Sequence, residues 1–446
     1  MYIFGAIPQF THCGVSMANM KSFKFHPVSV DWKVRGSEEG GFPVNILFTG
    51  YGNIGDEAIL EGTLRAFRQA YPKIRGIAIM DSFSQIPSKI KQIVENSSFK
   101  CDYIPLERVL GGKISRISVY SLSIINSIIG YNVSRPLIRG ILWHRGCSGY
   151  DEYHGLGLLI SQVVPALSIS SKFQYRVLGG LSLGYTRTVL GRKILQKFLR
   201  QWNYILVREP ISMSHIHSLL LPGDTNVNLV HDFAIHVEPT PSKKTEYMVW
   251  RLREFNEPLV GLVFRDYYYQ DFYPSHYRIT YKKFIRELVK RLSDLGYKPI
   301  YIPFGYFGDR KNDIKFYREL LEEGSLPGRL LWDLPSLTPG EVAYVLRHLK
   351  ALITVRTHPF ILSMVSGIKA IHLSYEHKGV GIAKYTFCEN PLSLIKCLKD
   401  MNYCLKHIFQ ELESSSHSKN NTVFKARFEN IRIIKSLISE LIDQLN

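Results

Sequence analysis

Twice along the chain, short apolar runs alternate with stretches whose apolar residues recur at helical spacing. A Pro-, Lys- and Thr-containing segment separates the two blocks. This rhythm constrains the fold more than any other feature. Strands that are each followed by a helix return to the same edge and pair in parallel, with helices covering both faces of the sheet. The first block opens with VNILF (44–48), followed by DEAILEGTLRAFRQAY, whose apolar residues at 59, 60, 64, 67 and 71 form one helical stripe. Further strands are predicted at 75–81, 176–181, 204–209 and 227–232, with a basic helix over 188–202. The second block has predicted strands LVGLVFRD (259–266), KPIYIPFG (298–305), RLLWDLP (329–335), ALITVRTH (351–358) and KAIHLSY (369–375). Helices are predicted over 280–296, 313–324 and PFILSMVSG (359–367). Another starts where Thr338 can cap, Pro339 takes the first position and Glu341 the third.

The expected fold class is therefore α/β: two Rossmann-like, doubly wound domains facing each other across a cleft, plus C-terminal helices. The boundaries read as an irregular leader (1–43), an N-terminal domain (44–236), a linker (237–258), a C-terminal domain (259–390) and C-terminal helices (391–446). The last helix carries an apolar stripe of Ile431, Ile434, Leu437, Ile438 and Leu441. At 446 residues the chain has length enough for two cores.

Ligands of doubly wound sheets lie beyond the carboxyl ends of the strands, and residues able to do chemistry gather there. TGYGNIGDEAIL (49–60) has glycines at 50, 52 and 55, a G-x-G-x-x-G spacing at a strand-to-helix turn. Asp81, at the end of the next strand, keeps a dinucleotide reading open. Asp56 and Glu57 oppose it, because carboxylates in the first helical turn repel a pyrophosphate. A turn needed only for packing, capped by Asp56, is the plainer alternative. Arg356 and His358 end a predicted strand, where residues two apart point the same way. Together they offer a bidentate anion binder and a proton carrier, or else a satisfied surface pair. Tyr375 and Lys378 end the next strand, and Arg208 and Arg265 end two others. Several cations at strand ends suit an anion with more than one charged group. Asp232, Asp309 and Asp313 are weaker candidates, since helix capping explains them equally well.

The formal net charge of +18 and a pI near 9.5 favour anionic partners. The cations are scattered, and no zinc-finger or RNA-recognition signature accompanies them, so nucleic acid is not expected. Six cysteines make no C-x-x-C pair and no metal-ligand spacing, which predicts no metal and reduced thiols in a cytoplasmic protein. The first residues lack the basic and apolar regions of a signal peptide. No run reaches the ~18 apolar residues of a membrane span. The nearest, 117–131, reads as a buried helix, with contact to a membrane surface as the alternative.

These motifs, in order, resemble the polysaccharide pyruvyl transferase family. GYGNIGDEAIL is similar to that family's G-x-G-N-x-G-D-E-A-x-L opening. ITVRTHPFILSMVSGIKAIHLSYEHKGVG resembles its R-L-H and S-Y-x-x-K segment. LGGLSLGY, VREPIS and VHDFAIH resemble its S-x-G-P, V-R-E-x-x-S and D-P-A-F elements. The chain departs from the pattern at Thr357, Phe233 and Tyr185, and in the reduced glycine-rich element at 145–155. The resemblance implies a GT-B-like fold. It also implies transfer of the pyruvyl group of phosphoenolpyruvate onto a sugar of a surface polysaccharide, or of its lipid-linked precursor, without metal or organic cofactor. It makes His358 and Arg356 the catalytic candidates. Gly52, Asn53, Gly55, Asp56, Arg208, Arg265, Tyr375 and Lys378 become the substrate-binding ones. Location in the cytoplasm, with contact to the inner face of the plasma membrane as an option, fits this work and the basic charge. A nucleotide-sugar glycosyltransferase and a non-catalytic member of an assembly complex are the alternatives.

Overall fold

Buried on both faces by flanking helices, the strands of such a domain are continuous apolar runs rather than alternating ones. LVGLV (259–263), ALIT (351–354) and YILV (204–207) follow this rule, with every residue buried. The computed structural model describes residues 44–47, 53–72, 76–81, 87–105, 138–145, positions within 156–170, 173–266, 276–306, 312–324, 326–331, 333–414 and 420–445. The expected leader, Gly50, Gly52, the 117–131 run, most of the glycine-rich element at 145–155 and Asp309 lie outside the described residues.

Two all-parallel sheets emerge. The first contains β1 (Val44–Leu47), β2 (Gly76–Asp81), β3 (Lys100–Pro105), β4 (Ile138–Arg145), β5 (Phe173–Leu181), β6 (Tyr204–Val207) and β7 (Asn226–Leu229), in the order β3-β2-β1-β4-β5-β6-β7. The second contains β8 (Leu259–Val263), β9 (Lys298–Tyr301), β10 (Arg329–Leu330), β11 (Ala351–Thr354), β12 (Lys369–Ser374) and β13 (Leu392–Ser393), in the order β10-β9-β8-β11-β12-β13. Counted from its own first strand, the second sheet reads 3-2-1-4-5-6, the doubly wound order, and the first reads the same with a seventh strand, β7, added at its edge. The switch point of this order, where a ligand crevice opens, lies between the first and fourth strands. These are β1 and β4 in one sheet, β8 and β11 in the other.

Helices α1 (Ile54–Ala70), α2 (Ser88–Asn96), α3 (Val189–Leu199) and α4 (Pro210–Leu219) belong to the first block. Next comes α5 (Lys243–Leu252), inside the segment expected as linker. Its polar composition conceals a helix: Ser242 and Thr245 form a capping box, and Met248, Val249 and Leu252 are buried. Helices α6 (His276–Asp294), α7 (Asp313–Gly324), α8 (Pro339–Leu346), α9 (Thr357–Val365) and α10 (His377–Phe387) complete the second block. Thr338 and Glu341 make the capping box at α8 that their spacing predicts. The tail forms α11 (Leu394–Lys399), α12 (Met401–Glu413) and α13 (Asn420–Leu445). Helix α13 returns to the first sheet, where Ile434, Leu437, Ile438 and Leu441 enter the core formed by Leu64, Phe67, Trp143 and Leu206. At roughly 1.5–3 kcal/mol for each buried aliphatic side chain, this stripe ties the last helix to the first sheet. Between α11 and α12 the turn at Asp400 brings Cys397 and Cys404 together as a disulfide, which corrects the expectation of reduced thiols for this pair.

Helix α1 joins the two sheets. Ile54 and Ala58 share a core with Val342 and Leu346 of α8 and with Phe360 and Ile361 of α9. Asn53 pairs with Gly305 beyond β9, and the amide of Ile54 donates to the Phe304 carbonyl at 3.1 Å. Glu61 accepts from the Gly340 amide at the start of α8 at 3.1 Å. Glu57, fully buried, is ion-paired with Lys89 and accepts from the hydroxyl of Tyr306. The second acid after the glycine loop is therefore an interdomain contact. Among the described residues no helix is long and apolar enough to cross a membrane.

Candidate active site

The carboxyl ends of the parallel strands face one another across this junction. Helix α1 begins earlier than its apolar stripe suggests. Asn53, not Asp56, caps it, and its side-chain oxygen accepts from the Gly55 amide at 3.0 Å. Asp56 is half-buried in the first turn. Gly55 lies against His358 of the other block. A Cβ built on Gly55 would sit 2.4 Å from the imidazole Nδ1 and 2.9 Å from the His358 Cβ. Only a hydrogen at this position lets the two domains close around the ring. In Gly55→Ala, helix propensity alone would raise stability by roughly 1 kcal/mol, and the methyl must push the imidazole aside. The expected result is a lowered thermal midpoint, because the clash reaches the His358 Cβ and overpacking costs about 1–3 kcal/mol, with turnover lower by about 10²-fold, as displacement of a reacting group by ~1 Å produces. Unchanged turnover would remove the ring from the chemistry.

His358 and Arg356 do not lie on a strand. The expected i, i+2 alignment is corrected, because β11 ends at Thr354. The Thr354 hydroxyl accepts from the Arg356 amide at 2.9 Å and donates to the Arg356 carbonyl at 3.1 Å, bending the chain out of the sheet. Arg356 becomes the N-cap residue of α9, with His358 in its first turn. The two side chains part accordingly. The Arg356 guanidinium donates to Asp313 at 2.5 Å within its own block, and its Nε is buried with no hydrogen-bond partner. Asp313 is fixed in turn by the amides of Phe304 and Gly305, at 3.0 and 2.7 Å. The His358 Nε2 faces the first block, 3.6 Å from the Asp232 carboxylate, and is likewise buried without a hydrogen-bond partner.

Asp232 is the hub on that side. Fully buried, it accepts from Arg208 at 2.6 Å and from the Ala234 amide at 2.9 Å. Burial pushes its carboxyl up, but Arg208, His358 and the amide outweigh it and hold the group well below the usual carboxylate range. Arg208 also donates to Ser182 at 2.6 Å. The sequence leaves Asp232 as a weaker site candidate that capping explains equally well; it does cap the 3-10 turn Phe233–His236, and the same carboxylate is shared by an arginine and the candidate histidine. Ser182 escapes a reading based on titratable residues. Its signal lies in its place after β5, within the S-x-G-P-like stretch.

The remaining cations lie beyond β8 and β12. Arg265 donates to the hydroxyl of Tyr375 at 3.1 Å. Burial lowers its pKa, and Tyr375, Asp313 and Glu376 more than restore it, so the group is firmly cationic. Lys378 pairs with Glu376 at 2.5 Å. Burial opposes both charges, yet the pairing raises the lysine and holds Glu376 down at about 2. The four cations are thus held in fixed positions by Asp232, Asp313, Glu376 and Tyr375. Helices α1 and α9 begin beside His358, and the dipoles at such N-termini also favour an anion.

Glu209, the N-cap of α4, completes the wall. It accepts from the amides of Ile211 and Ser212, at 2.8 and 3.0 Å, and packs so closely on Gly381 of α10 that a Cβ there would lie 2.5 Å from its Oε2. Burial raises its carboxyl from 4.5 to about 7, against the pull of those amides and of Arg208 and Lys378. Between these two values the folded protein keeps a proton that the unfolded chain has lost. This group's contribution to stability is therefore complete below pH about 4.5 and declines as pH rises to about 7. Urea midpoints should fall across that window in wild type and fall less in Glu209→Gln. Parallel curves for the two proteins would contradict this.

The family model of the polysaccharide pyruvyl transferases matches residues 53–377. The chain belongs to that family. The match runs from the cap of α1 to the start of α10, so it encloses both walls of the cleft. Among curated proteins none matches the chain in sequence. Solved structures with a similar fold include a putative UDP-N-acetylglucosamine 2-epimerase from Listeria monocytogenes, 11% identical, with TM-score 0.53 over 90% of this chain and 97% of that one. Another is the UDP-GlcNAc 2-epimerase of Methanocaldococcus jannaschii, in complex with UDP-GlcNAc and UDP. It is 10% identical, with TM-score 0.53 over 89% of this chain and all of that one. At such identities the likeness is one of architecture, the GT-B-like pair of Rossmann domains. Between the two domains, described site candidates Gly55, Arg208, Arg265, Arg356, His358, Tyr375 and Lys378 come together. Asn53 serves as a cap at its edge, and Gly52 lies outside the described residues.

Proposed function

We propose that this chain transfers the pyruvyl group of phosphoenolpyruvate to two hydroxyls of a sugar, forming a ketal in a surface polysaccharide or its lipid-linked precursor. One observation carries the reading: four anchored cations and a buried imidazole nitrogen, 3.6 Å from the Asp232 carboxylate, lie at the strand ends of two domains. Phosphoenolpyruvate presents a carboxylate and a phosphate on a three-carbon frame, and preorganised cations bind both without reorganising. Arg356, Arg265 and Lys378 take the donor's charges, with Arg208 as a fourth contributor.

In the reaction a proton is delivered to the methylene carbon, and a sugar hydroxyl adds to C2 and gives up its own proton. The bond from C2 to the phosphate oxygen then breaks, and a second hydroxyl attacks C2 and gives up its proton, which leaves with the phosphate. The products are the ketal and inorganic phosphate, and no redox partner enters the balance. His358 serves as general acid and base, with Asp232 placed to compensate the charge that its ring gains. Phosphoenolpyruvate is a substrate in this scheme and no further cofactor is invoked. The net charge of +18 suits a lipid-diphosphate-linked acceptor at a membrane surface.

Calorimetric titration separates this reading from use of a nucleotide sugar. Phosphoenolpyruvate should bind with an affinity that falls steeply in Arg356→Ala, and UDP should give no heat. Binding of UDP with no response to phosphoenolpyruvate would favour glycosyl transfer instead.

A further inference from the structure

One exposed aromatic side chain is built into the rim of the cleft. Tyr185 is 60% exposed and stands three residues after Ser182, the partner of Arg208. Its ring lies 3.8 Å from that of His215 in α4 and 6.3 Å from that of His377, the first residue of α10, and the two imidazoles are 5.7 Å apart. The segment beneath is fixed. The Leu183 amide donates to Ser212 at 2.8 Å, and the Leu183 carbonyl accepts from Ser212 at 3.2 Å and is 3.0 Å from the His215 Nδ1. His377 sits between Glu376 and Lys378, so the cluster runs directly into the cation wall. Burial, and then Lys378, lower the His377 imidazole to about 4, which leaves this ring uncharged at neutral pH.

We propose that Tyr185, backed by His215 and His377, is the platform on which the acceptor's pyranose ring stacks. A pyranose has a face of C–H groups and an edge of hydroxyls. The C–H face suits the electron-rich face of an aromatic ring, while the edge keeps its hydrogen bonds to water and to polar neighbours. A solvent-facing tyrosine held by two imidazoles offers this face at little cost in side-chain freedom, because the tyrosine is already positioned. Scattered exposed aromatics are ordinary; this one is joined through His377 to the residues around Lys378. It also stands where the family pattern has proline, so the platform would distinguish this chain's acceptor from those of relatives.

The assignment deepens the pyruvyl-transfer reading, and the test keeps the two apart. Saturation-transfer difference NMR would use methyl glycosides of glucose, galactose and N-acetylmannosamine as probes, with phosphoenolpyruvate as a separate ligand. Wild type should saturate the ring C–H protons of at least one glycoside. Tyr185→Ala should lower that signal by about tenfold, the loss expected for one aromatic stacking contact. Tyr185→Phe and Tyr185→Trp should keep it, and the phosphoenolpyruvate signal should be the same in all four proteins. A glycoside signal that survives in Tyr185→Ala, or that no glycoside gives with wild type, overturns the platform. Loss of the phosphoenolpyruvate signal in wild type, with the glycoside pattern intact, would instead count against the donor and leave the platform standing.

Discussion

Replacing His358 by alanine is expected to lower pyruvyl transfer by about 10³-fold, the middle of the range for a lost general acid–base group. The fold should persist. His358 is in the first turn of α9, and its Nε2 makes no hydrogen bond whose loss would orphan another group. Alanine is also a better helix former at that position. Steady-state assay of phosphate release, with circular dichroism as control for folding, checks both halves. A decrease in turnover with an unchanged spectrum supports the assignment, and wild-type turnover sinks it.

The second large effect is on stability. Asp232 and Arg208 have side chains only 1% and 2% exposed and meet at 2.6 Å. Asp232→Ala leaves a buried guanidinium without its carboxylate, with the Ser182 hydroxyl still bound to it, and removes the acceptor for the Ala234 amide. Stranding one member of a buried pair costs about 3–5 kcal/mol, a large part of the stability of a domain. Equilibrium unfolding in urea should show a loss of that size, and Asp232→Asn, which keeps an acceptor, a smaller one. A loss below about 1 kcal/mol, the level of an exposed pair, would mean that the two groups are not coupled in solution.

Much of this arrangement is legible in the chain itself, for physical reasons that differ between elements. The two blocks of βα units can be read because a strand covered on both sides must be apolar throughout, as LVGLV and YILV are. The start of α8 can be read because Thr338, Pro339 and Glu341 satisfy local backbone groups within one turn. What periodicity misreads is ALITVRTH. Val355 continues the apolar run, and nothing in the pattern announces that the Thr354 hydroxyl will turn the backbone before Arg356. Likewise the linker's Lys and Thr mask α5, whose buried face needs only three apolar residues.

The site was legible as a set of strand-end cations, and less so as a set of pairs. Arg356 with Asp313, Arg208 with Asp232, and Arg265 with Tyr375 join residues 24 to 110 positions apart. No local spacing encodes those distances. Glu57 illustrates the converse. Its place after the glycines suggests a repulsive wall to a pyrophosphate, whereas burial between Lys89 and Tyr306 makes it part of the contact between domains. Gly55 is the case where both levels agree. The spacing marks it as a glycine the loop requires, and the His358 ring against its α-carbon supplies the reason.

The central claim is most directly tested by incubating the protein in D₂O with phosphoenolpyruvate labelled with ¹³C at its methylene carbon and with candidate sugars, followed by NMR. The account predicts that the label appears as a ketal methyl carrying one solvent deuteron, with one phosphate released for each ketal formed. Label that stays in phosphoenolpyruvate with every sugar, with no phosphate released, would contradict it.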